Sequence, residues 1–250
     1  MIILKSREQI ELMRAAGRIV AGALEQVGRA VKSGVTTQTL DAIARDYILQ
    51  KGGIPSFLGY NGFPANICTS VNEQVVHGIP GKYRLREGDI VGVDIGVVLS
   101  GWQGDAARTF AVGEISPQAR KLMDVTKQSF FKALEVCIPG KRLGDIGWAV
   151  QSCAEANGFS VVRDLCGHGI GQNMHEDPQV LNYGSPGRGE RLQAGMVLAI
   201  EPMINAGGYK VYVPDNDWPV LTADGAYSAH YENTVAITDN GPEILTVLEE

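Results

Sequence analysis

Two segments of the chain, 107 residues apart, each place a carboxylate six residues after a glycine at the end of an apolar run. The first runs from Gly88 to Asp94 and the second from Gly195 to Glu201. Short apolar runs bounded by glycine predict buried strands. A repeat of about a hundred residues is too long for a solenoid and suits two half-domains packed on each other. The sequence therefore predicts a doubled fold in which both acids reach a shared site.

An offset of about a hundred residues recurs at two weaker landmarks. Gly34 and Gly140 each precede a helical pattern, and a glycine-flanked histidine, His77 or His168, lies upstream of each carboxylate strand. Chance would explain any one of these landmarks alone, but the three together favour duplication. We find no linker and expect one catalytic domain over residues 1–250, with halves of approximately 1–113 and 114–250.

Composition excludes several classes of protein. The chain has 250 residues, 44% hydrophobic, with a net charge of −6, which argues against a nucleic-acid site. It has no apolar run near the ~20 residues that span a bilayer, and no signal-peptide core at Met1–Leu4. The four cysteines show no CxxC spacing, so we expect reduced thiols and a cytoplasmic protein rather than disulfides or a zinc knuckle.

Capping signals predict helices at the start of each half. Ser6 with Gln9 forms a capping box, Thr36 can cap a second helix, and Ser116 and Arg142 begin two more. Strand and turn signals follow in each half, including strands at 235–237 and 244–247. The predicted fold class is α+β, with helices covering a curved antiparallel sheet.

Four carboxylates and one imidazole are candidate metal ligands: Asp94, Asp105, His168, Glu201 and Glu232. A carboxylate on an otherwise apolar strand is costly to bury unless it is paired, hydrogen-bonded or bound to a cation. For one such acid a salt bridge or a strand-end cap is the better interpretation. Two acids at matching repeat positions reverse that preference.

The donor set limits the metal and the chemistry. Oxygen donors with one imidazole suit Mn, Fe(II), Co or Zn, and the shortage of thiolates disfavours a structural zinc site. Four carboxylates carry more charge than one divalent ion balances. Two divalent ions, roughly 3.5–4 Å apart and sharing carboxylates and a water, would generate a hydroxide nucleophile near neutral pH. The residues therefore predict metal-assisted hydrolysis.

The chain resembles the type I methionine aminopeptidases, in their short bacterial form, over essentially its whole length. The motifs are DIG at 94–96, GDAARTF at 104–110, GHGIG at 167–171, MHEDPQV at 174–180, EPM at 201–203 and YENT at 231–234, together with Val76-His77-Gly78-Ile79-Pro80. The resemblance implies the pseudo-two-fold pita-bread fold. It also implies that Asp94 chelates one metal, that Asp105 and Glu232 bridge both, and that His168 and Glu201 bind the other.

The resemblance further implies roles in catalysis. His77 would lie near the new amine and the leaving group, His175 would hydrogen-bond the scissile carbonyl, and Glu201 would carry a proton from water to the amine. His230 receives no role and is interpreted as structural or exposed. The methionine pocket implied by the resemblance consists of Phe57, Tyr60, Phe63, Cys68, Met174 and Trp218.

The expected activity is removal of the initiator methionine from nascent chains whose second residue is small. The expected partner is a nascent N-terminus, and we expect a monomer without membrane contact. Lys82, Arg84 and Arg86 form a basic group that could meet the ribosome, with a solvated loop as the alternative. Three rival functions are a metal-free binding protein on this fold, a creatinase-like hydrolase, and prolidase or aminopeptidase P activity. The last would need an extra N-terminal domain, for which the residues before Ile54 leave no room.

Overall fold

The computed structural model describes residues 1–214 and 218–248 of the chain. Helices occur there as two pairs, α1 (Arg7–Ala30) with α2 (Thr37–Gln50) and α3 (Pro117–Leu134) with α4 (Leu143–Ala156). Their first turns carry the predicted caps. The Ser6 hydroxyl accepts the Gln9 N–H, Thr36 and Ser116 cap α2 and α3 in the same way, and the Asp145 carboxylate accepts the Arg142 N–H at 2.8 Å. The sequence-based prediction of four helix starts is confirmed.

Short antiparallel strands make up the rest of the fold. In chain order they are β1 (Ile54–Pro55), β2 (Cys68–Val71), β3 (Gln74–Val76), β4 (Ile90–Leu99), β5 (Trp102–Ala111), β6 (Ser160–Val161), β7 (Gly167–Gly169), β8 (Glu176–Val180), β9 (Val197–Ile200), β10 (Met203–Asn205), β11 (Val211–Tyr212), β12 (Val220–Thr222), β13 (Ser228–His230), β14 (Asn233–Thr238) and β15 (Gly241–Ile244). A 3₁₀ turn covers Tyr60–Gly62.

The two helix pairs cover different sheets. In the first half, α1 and α2 pack on the sheet formed by β1, β2, β4 and β5, around a core that includes Val20, Leu40 and Val93. In the second half, α3 packs on the three-stranded sheet β13-β10-β6, and α4 packs on β6 of that sheet and on β8 of the five-stranded sheet β15-β14-β9-β7-β8, around a core that includes Phe130 and Leu198. This is the α+β fold of two pseudo-symmetric halves that the sequence predicts.

The duplicated glycines take the same backbone conformation. Gly34 and Gly140 have φ of 88° and 93°, and Gly88 and Gly195 both have φ of 93°. Residues with a side chain rarely adopt this left-handed region, so glycine is required at each turn. The repeat is therefore visible as backbone geometry even where the two halves share few side chains.

The last strand begins three residues earlier than the sequence predicts. We expected a strand at 244–247, but β15 spans Gly241–Ile244, and the Leu245 N–H after it donates to the Thr234 carbonyl of β14 at 2.9 Å. Leu245 is fully buried and its carbonyl lies against Gly17 of α1. Gly241 and Pro242 resemble turn residues, yet both are accommodated because β15 pairs with β14 alone and is an edge strand.

The two sheets meet where β5 lies beside the start of β14. The Asp105 N–H donates to the Thr234 hydroxyl at 3.0 Å, and that hydroxyl donates back to the Asp105 carbonyl at 2.8 Å. The Glu232 N–H donates to the Ala107 carbonyl at 3.0 Å. These bonds hold acids from both halves at one junction.

Within the described ranges no helix is long and apolar enough to cross a bilayer.

Candidate metal centre and substrate pocket

The five predicted ligands come from strands that converge at this junction. Asp94 and Asp105 lie on β4 and β5, where Gly96 pairs with Asp105. His168 lies on β7, Glu201 directly follows β9, and Glu232 directly precedes β14. The register places these side by side, because Asn233 pairs with Ile200 and His168 pairs with Ala199.

Distances between ligand atoms are those of a closed cluster. His168 Nε2 lies 3.9 Å from Asp105 Oδ2 and 3.7 Å from Glu201 Oε1. Asp105, His168 and Glu232 each offer a ligand atom within 4.8 Å of the others. A second set with the same property consists of Asp94, His230 and Glu232. Glu232 belongs to both sets, so the two sets outline two adjoining cation positions.

The carboxylates are buried and incompletely hydrogen-bonded. Asp105 and Glu232 are 4% and 2% exposed, and Asp94 Oδ1, Asp105 Oδ1 and Glu232 Oε1 have no hydrogen-bond partner among the residues that the structure describes. Burial, followed by repulsion from neighbouring carboxylates, raises the pKa of Asp105, Glu201 and Glu232 well above the ordinary value. Burial raises the pKa of Asp94 to about 7. Oxygen atoms buried in this state fit a hard or borderline divalent cation, which replaces the protons.

The His168 ring is oriented for metal ligation. Burial, followed by the charge on His175, lowers the pKa of His168 to about 4, so its imidazole is neutral at pH 7. His168 Nδ1 lies 2.9 Å from the Gly169 carbonyl oxygen, and a neutral ring donates Nδ1–H to that carbonyl. The lone pair then resides on Nε2, which faces the carboxylates.

His230 is a residue that the sequence interpretation missed. The ring is 4% exposed, and Nε2 lies 3.7 Å from Glu201 Oε2 and 3.8 Å from Glu232 Oε2. Burial, followed by the charges of His77 and Arg108, lowers the pKa of His230 to about 3. The interpretation as an exposed residue is wrong. Its position two residues before Glu232 was the available signal.

A cavity of about 160 Å³ opens onto the carboxylate cluster. Its walls contain the two remaining histidines and most of the predicted methionine pocket. The lining residues of that group are Phe57, Tyr60, Phe63, Cys68, His77, His175 and Trp218, together with Asn61, which the sequence analysis did not name. Met174 lies outside the lining: it is 3% exposed and belongs to the same buried cluster as Phe57.

The apolar wall is continuous with the acid cluster. Cys68 on β2 pairs directly with Asp94 on β4, and the Phe63 and Trp218 rings meet edge to face at 5.2 Å. Burial and the nearby charge of Asp94 raise the pKa of the Cys68 thiol well above the ordinary value. A neutral thiol and aromatic rings form a surface suited to an unbranched thioether.

The two histidines at the cavity are held by different means. His77 has a left-handed φ of 61°, a conformation that is uncommon for a residue with a side chain and is found at functional sites. The Nδ1 of His175 lies 2.7 Å from the Tyr60 hydroxyl, and the His175 ring packs on that of His168 with centroids 4.3 Å apart. Burial lowers the pKa of both His77 and His175. Both rings are therefore neutral hydrogen-bonding groups at pH 7.

A buried ion pair anchors the loop that carries His175. Lys5 Nζ lies 2.7 Å from Glu176 Oε2, with side chains that are 2% and 6% exposed. The other Glu176 oxygen accepts the Asn173 N–H at 3.1 Å. Both oxygens of the Glu176 carboxylate are therefore bonded, one to Lys5 and the other to the backbone of the loop at Asn173.

The site as a whole can bind divalent cations, hold an apolar side chain beside them and polarise a carbonyl. These are the requirements of peptide hydrolysis.

Comparison with known proteins agrees with this geometry. A methionine aminopeptidase of Clostridium acetobutylicum is 60% identical over 250 residues, covering 100% of both chains. Methionine aminopeptidase 1 of Bacillus subtilis is 51% identical over 98% of this chain and 99% of its own. The crystal structure of methionine aminopeptidase from Rickettsia prowazekii superposes with a TM-score of 0.97 at 44% identity, covering 99% of this chain and 100% of that chain.

A more distant structure shares the fold only. Prolidase from Pyrococcus furiosus matches with a TM-score of 0.78 at 23% identity, and the match covers 66% of that longer chain. Prolidase-like activity is therefore not favoured. The model of metallopeptidase family M24 matches residues 11–239. With its pita-bread fold, its acid and imidazole cluster and these relatives, the chain belongs to metallopeptidase family M24.

Proposed function

We propose that this protein removes the N-terminal methionine from polypeptides whose second residue is small. One observation carries the proposal: the apolar pocket and the acid and imidazole cluster open into the same cavity of about 160 Å³. An N-terminal side chain held in the pocket would place the peptide bond that follows its residue at the acid and imidazole cluster. The names of relatives at 60% and 51% identity support the same activity.

The ligands in this proposal are Asp94, Asp105, His168, Glu201 and Glu232, for two divalent ions per chain chosen among Co, Mn, Fe(II) and Zn. When bound, such ions lower the pKa of water and polarise the scissile carbonyl. The proposal is supported by the orphaned carboxylate oxygens and by the pKa values that burial raises. Asp105 and Glu232 are suited to bridging, because they are the most enclosed acids of the cluster.

Glu201, His175 and His77 would carry out the proton and hydrogen-bond steps. Glu201 accepts a proton from the attacking water and delivers it to the leaving amine. Neutral His175 donates Nε2–H to the carbonyl oxygen as negative charge develops there. His77 hydrogen-bonds the leaving amine. His175 can perform its role only if its other nitrogen, Nδ1, accepts a hydrogen bond, which the Tyr60 hydroxyl can supply at 2.7 Å.

Tyr60→Phe is therefore expected to lower kcat roughly tenfold, less than the loss of a direct oxyanion donor, with KM nearly unchanged. Phenylalanine keeps the pocket wall and removes only the hydroxyl that orients His175. The measurement is a steady-state comparison with Tyr212→Phe, a variant of an exposed tyrosine. Imidazole ¹⁵N chemical shifts of His175 should show loss of the Nε2–H tautomer. An unchanged kcat would mean that Tyr60 contributes only to the wall of the pocket.

The depth of the methionine pocket depends on Gly96. A Cβ at this position would lie 2.6 Å from Phe57 Cε1 and 2.7 Å from Met174 Cε. Gly96→Ala must displace Phe57 and Met174, and because the Phe57 ring lines the pocket, the change is expected to raise KM about tenfold, or about 1.4 kcal/mol. Gly92→Ala on the same strand is the matched control, because its Cβ would meet no atom nearer than 3.6 Å. Equal KM values for the two variants would contradict this pocket.

The setting of the reaction follows from its substrate. We propose that nascent N-termini are the partners and that the chain acts in the cytoplasm as a monomer and a single catalytic domain. Ribosome docking would use Lys82, Arg84 and Arg86, which are partly or fully exposed. Support for one domain comes from the bonds between Asp105 and Thr234 that join the halves at the site.

The proposal is tested by the free methionine released from Met-Gly-X and Met-Ile-X peptides and by the free proline released from Gly-Pro. Metal-stripped protein is assayed alone and with Mn²⁺ or Co²⁺. Release from Met-Gly-X only, and only with metal, is the expected result. Cleavage of Met-Ile-X at a similar rate would remove the small-residue rule, and cleavage of Gly-Pro would indicate prolidase activity. No release with any metal would leave a binding protein on this fold.

A further inference from the structure

His230 projects into the carboxylate cluster in the same way as the predicted ligand His168. His168 Nε2 lies 3.7 Å and 3.9 Å from its two nearest carboxylate oxygens, on Glu201 and Asp105. His230 Nε2 lies 3.7 Å and 3.8 Å from its own two, on Glu201 and Glu232. Glu201 therefore stands between two imidazoles, with one oxygen facing each.

These separations are those of ligands around a common ion rather than of hydrogen bonds. An N–H···O bond requires about 2.7–3.2 Å between the heavy atoms, so 3.7 Å and 3.8 Å are too long. Bonds of about 2.0–2.2 Å from a central cation to nitrogen and oxygen place neighbouring ligand atoms roughly 3–4 Å apart. His230 Nε2 is also a buried atom that finds no hydrogen-bond partner within residues 1–214 and 218–248. A cation is the partner that the spacing fits.

The backbone holds His230 in this orientation. The His230 N–H donates to the Thr109 hydroxyl at 3.0 Å, and the same hydroxyl donates to the His230 carbonyl at 2.9 Å. Thr109 lies on β5, the strand of Asp105, and His230 pairs with Met203 at the end of β13. These bonds fix the backbone of His230, so only its side-chain torsions remain to be set when the ring binds a ligand.

We propose that His230 is a sixth protein ligand of the metal centre and binds, through Nε2, the ion held by Asp94 and Glu232. Each cation then has one imidazole, His168 on one and His230 on the other, with Glu232 shared between them. This inference rests on the proposed metal-dependent function. A nitrogen donor at both positions favours borderline ions such as Co²⁺ and Zn²⁺ over Mn²⁺ at the Asp94 position.

The test counts imidazoles in the Co²⁺-loaded protein by NMR, with ¹⁵N-labelled histidine. A histidine bound through Nε2 keeps Nδ1–H, whose resonance the paramagnetic ion shifts far outside the diamagnetic range. Two such resonances are expected in the unmodified protein at two equivalents of Co²⁺. A single resonance at full loading would overturn the inference, and this count needs no variant.

Variants assign the two resonances. His230→Gln should remove one, His168→Gln the other, and His175→Gln neither. Equilibrium dialysis of His230→Gln against Co²⁺ should show at least roughly tenfold weaker binding of one ion and little change in the other. Equal binding of both ions would contradict the assignment. Protein that binds no Co²⁺ and releases no methionine would instead overturn the proposed function, so the two failures are distinguishable.

Discussion

Asp105→Asn is expected to reduce methionine release from Met-Gly-X by at least ~10³-fold while making the metal-free protein more stable. Asp105 is 4% exposed, and burial followed by the charges of Glu232 and Asp94 raises its pKa well above the ordinary value. With Glu232, it is one of the two acids proposed to serve both ions. Asparagine has the same shape but no charge. It weakens cation binding and removes one source of repulsion from the buried cluster.

Two measurements separate these effects. Steady-state rates are compared with those of Asp124→Asn, which makes the same chemical change at an exposed position on α3. Thermal unfolding is followed with EDTA and with excess Co²⁺. The expected pattern is a higher Tm in EDTA and a smaller metal-induced rise than in the unmodified protein. Asp105→Asn protein that retains activity would place the essential charge elsewhere, and a lower Tm in EDTA would show that Asp105 has a stabilising partner.

The second large effect is the pH dependence of stability without metal. The free energy of unfolding should fall as pH rises from 6.5 to 8, by about 1.4 kcal/mol per pH unit for each proton that the folded cluster retains. A carboxyl whose folded pKa is raised keeps a proton that the unfolded chain releases. Burial, followed by the charges of neighbouring carboxylates, raises the folded pKa of Asp105, Glu201 and Glu232 well above the ordinary value, and burial raises that of Asp94 to about 7.

The buried histidines set the lower limit of this window. His168 and His230 have folded pKa values of about 4 and about 3 against an ordinary value of 6.5. Below pH 6.5 the unfolded chain binds protons that these rings exclude, so their contribution to stability rises with pH and opposes that of the carboxyls. At pH 6.5 half of these rings are still protonated in the unfolded chain, so the histidine contribution goes on rising to about pH 7.5 and reduces the slope that the carboxyls set between these two values.

Urea unfolding in EDTA at pH 6.5, 7.2 and 8 measures this slope. Excess Co²⁺ should abolish or reverse it, because the cations replace the retained protons and bind more tightly as protons are removed. A double variant, Asp105→Asn with Glu232→Gln, should have a smaller slope in EDTA. Stability that is constant over this range without metal would mean that the cluster is already ionised and paired in the folded protein.

Local signals in the sequence were sufficient for much of the fold. Ser6 and Thr36 cap helices because a hydroxyl beside free N–H groups forms the same short-range bond in any tertiary context. Local signals failed at β15, where Gly241 and Pro242 resemble a turn. The edge of a sheet tolerates both residues, and only the position of β14 makes this segment an edge.

The candidate site divides in a similar way. Asp94 and Glu201 could be predicted, because a carboxylate on an apolar strand is costly and the repeat placed two of them at matching positions. Phe57, Phe63 and Trp218 were assigned to a pocket by resemblance, and they line one cavity in the structure. Met174 was assigned in the same way but lies in the core beside Phe57. An irregular loop has no regular period, so its sequence does not predict which of its side chains point towards the core.

The sequence by itself determined the duplication, the helix starts and the acids proposed as metal ligands, because each follows from the repeat, from local backbone geometry or from the cost of burying charge. Only the tertiary structure decided that Glu232 lies between two imidazoles and that Tyr60 reaches His175. Tyr60 and His175 are 115 residues apart in the chain, and their 2.7 Å contact depends on the packing of two half-domains. Side chains brought together by such packing leave no periodic signal in the sequence.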